Sequence, residues 1–404
     1  MKSAIIVGDY KRPDVQFYLK AVSSKYKLYL LLLDFSSSKS RNTKVQFGEK
    51  ISIKDFKNAN HLLKSLNISK VFFFAFENIH EVLFNVCCKN LEINTVHIEH
   101  GVRDYERTLG LSKLRKENDR KTLFQRWKQK SISVRQIPER ITLKRFFNKS
   151  LNLLSKGDQK FIKHYVKIRR THSYLETSRL VTDEKRMPAS YISFSQKTFE
   201  FHMLKDCLQD LSRVSFIGCP QFDDLFNLKK ANEQELVFID QPFVEFKVFG
   251  WTYQYKFELI QQINDKIVEP FNFKLKIKPH PYSNMEFWNK CKSQFSRIEI
   301  IDQSGFNSND IVIGFASTML IPLVAQNDTV CISIEKHPEI DFNYSDFLSS
   351  SDAITQVNSI EELKNCISSI SQLKEKQSKA KPEFIKDWLY LFDGKSYDRL
   401  LEVV

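Results

Sequence analysis

The amino-acid sequence predicts an α/β chain of two doubly wound domains. Short apolar runs recur along it, each ending abruptly in Gly, Asp, His or Pro, and helix-length segments separate them. That alternation implies parallel sheets covered on both faces. At 404 residues and 42% hydrophobic, the chain is large enough for two buried cores.

The elements follow in order. Ser3–Val7 reads as a strand ending at Gly8-Asp9, followed by strands at Leu28–Leu33 and Val71–Phe76. Thr95–Ile98 is a fourth, ending at Glu99-His100-Gly101. Val15–Lys25 and Asn58–Leu66 have helix length. A basic helical insertion at about 111–170 interrupts the pattern, with helices expected around Arg120–Lys130 and Leu143–Tyr165. Alternation resumes with strand Tyr191–Phe194, a helix over Phe199–Leu208, and strand Val214–Ile217. The first domain is expected over 1–226, and the polar Asn227–Glu235 reads as a linker. A second domain is expected over 235–380, with strands Glu235–Ile239, Lys274–Ile277, Ile298–Ile301, Ile311–Ile313 and Thr329–Ser333. A long helix is expected near Gln254–Val268. The remaining 381–404, with helices at Lys386–Phe392 and from Ser396, is expected to pack back on the first domain.

Composition narrows the class. Phe is abundant (34) and Gly scarce (10), which argues against Gly-rich or low-complexity architecture. The seven cysteines are scattered, with no C-x-x-C, so neither a zinc ribbon nor a redox motif is suggested, and a reducing, cytoplasmic compartment is expected. The apolar run at the N-terminus is too short for a signal peptide, and no run approaches the ~20 residues of a spanning helix. Gly-rich dinucleotide and Walker fingerprints are both absent, so no bound cofactor is expected, and no carboxylate pattern suggests a metal.

The charge is concentrated. Residues 111–170 hold 19 Lys and Arg against 4 acids, an excess of 15 where the whole chain carries +14. Aromatic and aliphatic residues such as Phe124, Trp127, Phe146 and Leu151 interleave with it. Such a segment suits an anionic membrane surface or an acidic acceptor glycan. A solvated helical insertion is the plain alternative. Nucleic acid is not expected, because no binding motif accompanies the charge.

Two stretches carry the chemistry. Lys274-Leu-Lys-Ile-Lys-Pro-His-Pro281 ends a strand in a histidine fixed between two prolines, and Ile311-Val-Ile-Gly-Phe-Ala-Ser-Thr318 ends one in hydroxyls at a helix start. Ligands bind past the carboxyl ends of parallel strands, so His280 and Ser317-Thr318 are expected to face one crevice and to suit a phosphate. Gly314 would permit close backbone approach. Glu99, at a strand end of the first domain, is a candidate general base, with His100 and Asp104 as alternatives; a salt-bridged turn with Arg103 is the plain reading. Asp240-Gln241-Pro242 ends another strand and would line the crevice or simply turn.

These residues resemble a known group. The run ending in His280-Pro281, with Ser317-Thr318 after the later strand, is similar to the His-Pro and Ser/Thr motifs of bacterial sialyltransferases, polysialyltransferases and capsule β-Kdo transferases. Ile98-Glu-His-Gly-Val-Arg-Asp-Tyr-Glu-Arg-Thr-Leu-Gly110 resembles their acidic-acidic-Gly motif, with His100 in the second acidic position. The resemblance implies a GT-B glycosyltransferase with two Rossmann-like domains facing a central cleft. It implies inverting, metal-independent transfer of a sialic acid or related sugar acid such as Kdo from a CMP-activated donor to a glycan or glycolipid of the bacterial surface (capsule, lipopolysaccharide or lipooligosaccharide). Glu99 would then be the base, with His100 and Asp104 still open. His280 would assist phosphate departure, and Ser317 and Thr318 would bind the phosphate. Gly314, Pro281, Lys278 and Gln241 complete the expected donor site, and Arg103 and Arg107 the acceptor side. The expected location is the cytoplasm, at the inner face of a bacterial membrane. Teichoic-acid glycerophosphotransferases carry similar histidines, so a CDP-glycerol or CDP-ribitol polyol-phosphate transferase is the competing enzyme. A peripheral capsule-assembly protein is the non-enzymatic alternative.

Overall fold

The computed structural model describes residues 1–12, 15–33, 46–76, 78–102, 137–315, 317–340, 345–349 and 351–404. The chain forms two compact units, Met1–Gln221 with Lys395–Val404, and Phe222–Gly394.

The first unit holds strands β1 (Ser3–Val7), β2 (Lys27–Leu31), β3 (Glu49–Ile51), β4 (Ile68–Phe73), β5 (Asn94–Ile98), β6 (Ser190–Ser193) and β7 (Val214–Phe216). They pair in the order β3-β2-β1-β4-β5-β6-β7, all parallel. β1 is buried along its whole length, as a strand covered on both faces must be. The described helices are α1 (Gln16–Lys25), α2 (Ala59–Ser65), α3 (Ile79–Asn90), α4 (Ile137–Leu151), α5 (Lys156–Arg169), α6 (Tyr174–Leu180) and α7 (Gln196–Asp206). Reciprocal capping boxes start α3 (Asn78 with Glu81), α6 (Ser173 with Glu176) and α7 (Ser195 with Thr198).

The basic segment departs from the expected single helix over Leu143–Tyr165. The chain breaks at 152–155, where Ser155 caps α5 by accepting from the Asp158 N–H. Helices α4 and α5 lie against α3 and bury Leu143, Phe146, Leu151, Phe161, Ile162 and Tyr165 in the same core. This explains why α3 is buried all round through Glu81–Cys88, apolar there except for Glu81 and Asn85: the sheet covers one side and the insertion another. The expected helix at Arg120–Lys130 lies outside the described residues.

The second unit holds β8 (Leu236–Ile239), β9 (Leu275–Lys278), β10 (Ile298–Ile300), β11 (Ile311–Gly314), β12 (Val330–Ile334) and β13 (Thr355–Val357). Their order is β10-β9-β8-β11-β12-β13, again all parallel. The helices are α8 (Phe243–Phe246), α9 (Tyr253–Ile263), α10 (Met285–Gln294), α11 (Leu320–Val324), α12 (Asp346–Ser349), α13 (Ile360–Ser368) and α14 (Ile370–Leu389). The expected helix to Val268 is present, but its last turn, Asn264–Val268, is a π-helix. Counted from its own first strand, each sheet has the 3-2-1-4-5-6 order of Rossmann domains, extended in the first by a seventh strand, so the chain is α/β with two Rossmann-like units.

Boundaries shift from the sequence expectation. The division falls at Gln221/Phe222, and the stretch read as a linker belongs to the second unit, where Ser308 N–H donates to the Lys229 carbonyl at 2.9 Å. Residues 381–394 also stay with the second unit. Helix α15 (Ser396–Val403) packs on α1, and Arg399 Nε donates to the Ile217 carbonyl at 2.9 Å.

Candidate active site

The second sheet reverses strand order between β8 and β11, and β9 lies on the other side of β8. Ile239 pairs with Lys278 on one side and Gly314 on the other, so these strands end level. Their ends span two strand spacings, about 10 Å. Asp240, the Pro279-His280-Pro281 turn and Ser317 thus emerge along one short line.

The histidine turn is tightly specified. The Ser283 N–H donates to the His280 carbonyl at 2.8 Å, and the His280 N–H donates to Ser283 Oγ at 3.1 Å. The Ser283 hydroxyl in turn donates to Asp240 Oδ2 at 2.5 Å. The Tyr282 N–H donates to His280 Nδ1 at 3.2 Å. An imidazole that accepts at Nδ1 carries its proton at Nε2 when neutral. Tyr282 stacks on the imidazole at 5.6 Å and 21°.

Asp240 is the buried anchor of this region. Its Oδ2 also accepts from Trp288 Nε1 at 3.0 Å, and the Lys256 ammonium stands 2.7 Å from Oδ1 as a charge contact rather than an aligned hydrogen bond. Lys256 lies over the Trp288 ring at 4.8 Å. Burial pushes the Asp240 carboxyl up, Lys256 and the hydrogen bonds draw it back, and it settles above the usual range.

The other expected donor residues are less uniform. Ser317 is buried and its Oγ accepts from the Met319 N–H at 3.3 Å, a turn leading into α11, whereas Thr318 is exposed. A Cβ on Gly314 would stand 2.9 Å from the Ile239 carbonyl oxygen. That glycine therefore serves the close approach of β8 and β11. Lys278 Nζ donates to the Pro279 carbonyl at 3.0 Å, and burial lowers its pKa. Gln241 is half-buried and Pro281 exposed.

In the first unit, Glu99 continues β5: its N–H donates to the Ile192 carbonyl at 2.8 Å, and the Tyr18 hydroxyl donates to its carbonyl at 2.6 Å. Its Oε2 lies 2.6 Å from Nε2 of His202 on α7, with both side chains about 1% exposed. Burial pushes the His202 imidazole down, Glu99 pulls it back, and it stays below its ordinary value. A neutral His202 donating from Nε2 to the carboxylate fits both facts. The His97 ring stands 4.4 Å from that of His202. Close by, Asp206 accepts from Arg186 and Tyr191, each at 2.8 Å, and Lys205 stands 3.5 Å away. Burial raises the Asp206 carboxyl, but Lys205, Arg186 and His202 together hold it below the usual range. His100 is buried edge-on against Phe74 at 5.5 Å. Arg103, Asp104 and Arg107 lie outside the described residues.

Helix α5 exposes Lys156, Lys160, Lys163 and Lys167, continued by Arg170, and α4 exposes Arg140, Lys144, Arg145 and Lys149. Spacing of three and four residues sets the α5 cations in one stripe. The acid on α5, Asp158, turns inward to Lys185 at 2.7 Å and Asn90 at 3.0 Å. Among the described residues, no cluster of His, Cys, Asp or Glu has metal-binding form. Among them, no helix is long and apolar enough to cross a membrane.

The family model of the α-2,8-polysialyltransferases matches residues 10–329, from β1's end to β12's start. The chain belongs to that family. Its members are glycosyltransferases, which accounts for two Rossmann-like units with polar groups at their strand ends. The wall teichoic acid polymerase TagF is similar at 11% identity over 100% of this chain and 88% of that one, TM-score 0.47. MurG of Acinetobacter baumannii is similar at 10% identity over 100% and 99%, TM-score 0.47. Os79 from O. sativa in complex with UDP is similar at 10% identity over 99% and 98%, TM-score 0.48. No curated protein matches the chain.

Sequence reasoning in this polysialyltransferase-family chain missed His202, Lys256 and Ser283. Ser283 had a local signal, a hydroxyl three residues past the histidine in a Pro-rich turn. His202 had none, since 103 residues separate it from Glu99.

Proposed function

We propose that the chain transfers a sialic acid or related sugar acid, with inversion, from a CMP-activated donor to a cell-surface glycan. Family membership supports glycosyl transfer, and the observation that carries the donor assignment is the His280 turn. Its Nδ1 accepts a backbone N–H, which leaves the proton on Nε2, the nitrogen that would meet the donor phosphate.

Chemically, Glu99 takes the proton of the acceptor hydroxyl as that oxygen bonds to the anomeric carbon of the donor. The bond from that carbon to the CMP phosphate breaks, and its electron pair leaves with CMP. Negative charge then develops on the phosphate oxygen. His280 Nε2–H hydrogen bonds to it or protonates it, and Ser317 and Thr318 add hydroxyl donors. Preplaced donors of this kind stabilise the leaving group without a metal. The second acid of the family pattern is replaced by His100, so His100 and Asp104 stand next in line as base.

The cation stripe on α5 suits a polyanionic acceptor glycan, or the anionic face of a bacterial inner membrane. The deciding experiment offers CMP-sialic acid, CMP-Kdo and CDP-glycerol in competition to wild type and to His280→Ala. Use of a CMP-sugar that is lost in the variant supports the reading. Turnover of CDP-glycerol alone assigns a polyol-phosphate transferase instead, and absence of cytidine-nucleotide binding leaves an assembly role.

A further inference from the structure

We infer that Ser283 and Asp240 are positioning residues for His280, setting both the place and the tautomer of its imidazole. This rests on the reading of His280 as the group that meets the leaving phosphate. The chain of bonds is continuous. The His280 N–H donates to Ser283 Oγ at 3.1 Å, and the Ser283 hydroxyl donates to Asp240 Oδ2 at 2.5 Å. Asp240 is 2% exposed and fixed in turn by Trp288 Nε1 and Lys256. Its carboxylate thus ties the end of β8 to the turn that follows β9.

The hydroxyl is oriented by its partners. It has one proton, which a buried carboxylate accepts, so a lone pair faces the His280 amide. The same turn brings the Tyr282 N–H to His280 Nδ1 at 3.2 Å. Loosening it frees that nitrogen to take the proton, and the ring would then present a lone pair where a donor is needed. Ser283 is no nucleophile in this arrangement, because it meets the backbone of His280 and not its ring.

A second tie runs parallel. The Asn284 N–H, which follows Ser283, donates to Glu245 Oε1 at 2.9 Å on α8. That contact holds the far side of the turn, so losing the Ser283 hydroxyl relaxes the turn without unfolding it. Asp240→Asn is the harsher change, because it strands the buried Lys256 ammonium.

The test compares Ser283→Ala, Ser283→Thr, His280→Ala and the Ser283→Ala/His280→Ala pair, each checked for an unchanged circular dichroism spectrum. Two readouts are taken: kcat and KM for the donor, and the ring nitrogen shifts of His280 by NMR in the absence of substrate. Ser283→Ala is expected to lower kcat about tenfold, the worth of one charge-assisted hydrogen bond, with KM little changed. Its ring is expected to lose the pure Nε2–H signature. Ser283→Thr, which keeps the hydroxyl, is expected to restore both. In the His280→Ala background the serine change is expected to cost nothing further. A wild-type His280 spectrum in Ser283→Ala, or full additivity in the double variant, overturns the positioning role. Undiminished turnover in His280→Ala overturns the reading of His280 itself, and the NMR result still decides whether the Ser283 hydroxyl holds the ring.

Discussion

Glu99 Oε2 and His202 Nε2 meet at 2.6 Å in the interior of the first unit, each side chain about 1% exposed. A carboxylate with such a partner is held in one rotamer and supplied with one hydrogen bond before any substrate arrives. The sheet end carries the carboxylate and helix α7 carries the imidazole that orients it.

If Glu99 is the base, Glu99→Gln keeps its shape but cannot accept the proton. Turnover is expected to fall by about a hundredfold or more, with donor binding little changed. Steady-state kinetics with separate donor titration checks this. Should Asp104→Asn produce that loss while Glu99→Gln does not, the base is Asp104.

The same pair sets a pH dependence of stability. His202 titrates below its unfolded value of 6.5, so between the two values the unfolded chain binds the extra proton. Stability from the neutral imidazole is full above the unfolded value. It is lost as pH falls from there through the folded pKa. Melting temperature is expected to drop as pH falls below the unfolded value, and His202→Gln is expected to flatten that slope. Glu99, Lys205 and Asp206 surround the ring, so the comparison is made against wild type at each pH.

Arg186 and Asp206 form an ion pair with both side chains about 1% exposed. Asp206→Asn leaves a buried guanidinium without its counter-charge. The expected cost is about 3–5 kcal/mol, read from urea unfolding midpoints. A change within about 0.5 kcal/mol, the range of an ordinary surface substitution, contradicts the role given to this pair.

The α5 stripe is tested by changing Lys156, Lys160, Lys163 and Lys167 to Ala together. Their apolar neighbours Phe161, Ile162 and Tyr165 face the core, so unfolding stability is expected to hold. Sedimentation with phosphatidylserine vesicles, or retention on an acidic glycan, is expected to weaken. The wild-type interaction should itself fade with salt over the Debye range. Unchanged retention in both assays removes the stripe from any recruiting role.

The strand pattern was largely legible because buried parallel strands are written as apolar runs with polar stops. Ile311–Gly314 and Leu236–Ile239 show this within a residue of the expectation. Strands β3 and β13 were not, because two of the three residues in each, Glu49-Lys50 and Thr355-Gln356, are polar and leave no apolar run to read. The break between α4 and α5 was hidden because apolar residues on both sides keep helical spacing toward one core. At the site, His280 was legible from its flanking prolines, which restrict the backbone locally. Asp240 was legible as a strand end but not as a support of that histidine, and Lys256 was not legible at all, since it reaches Asp240 from helix α9. Glu99 was legible as a strand end, whereas His202 reaches it only because α7 packs across β5 and β6.

Transfer from a cytidine-activated sugar acid leaves a direct chemical trace. Purified chain is incubated with CMP-sialic acid and an oligosialyl acceptor, and the products are resolved by mass spectrometry. The acceptor is expected to grow by whole sialic acid residues, with one CMP released for each. An unextended acceptor, alongside polyol phosphate transferred from CDP-glycerol in the parallel reaction, contradicts the donor assignment.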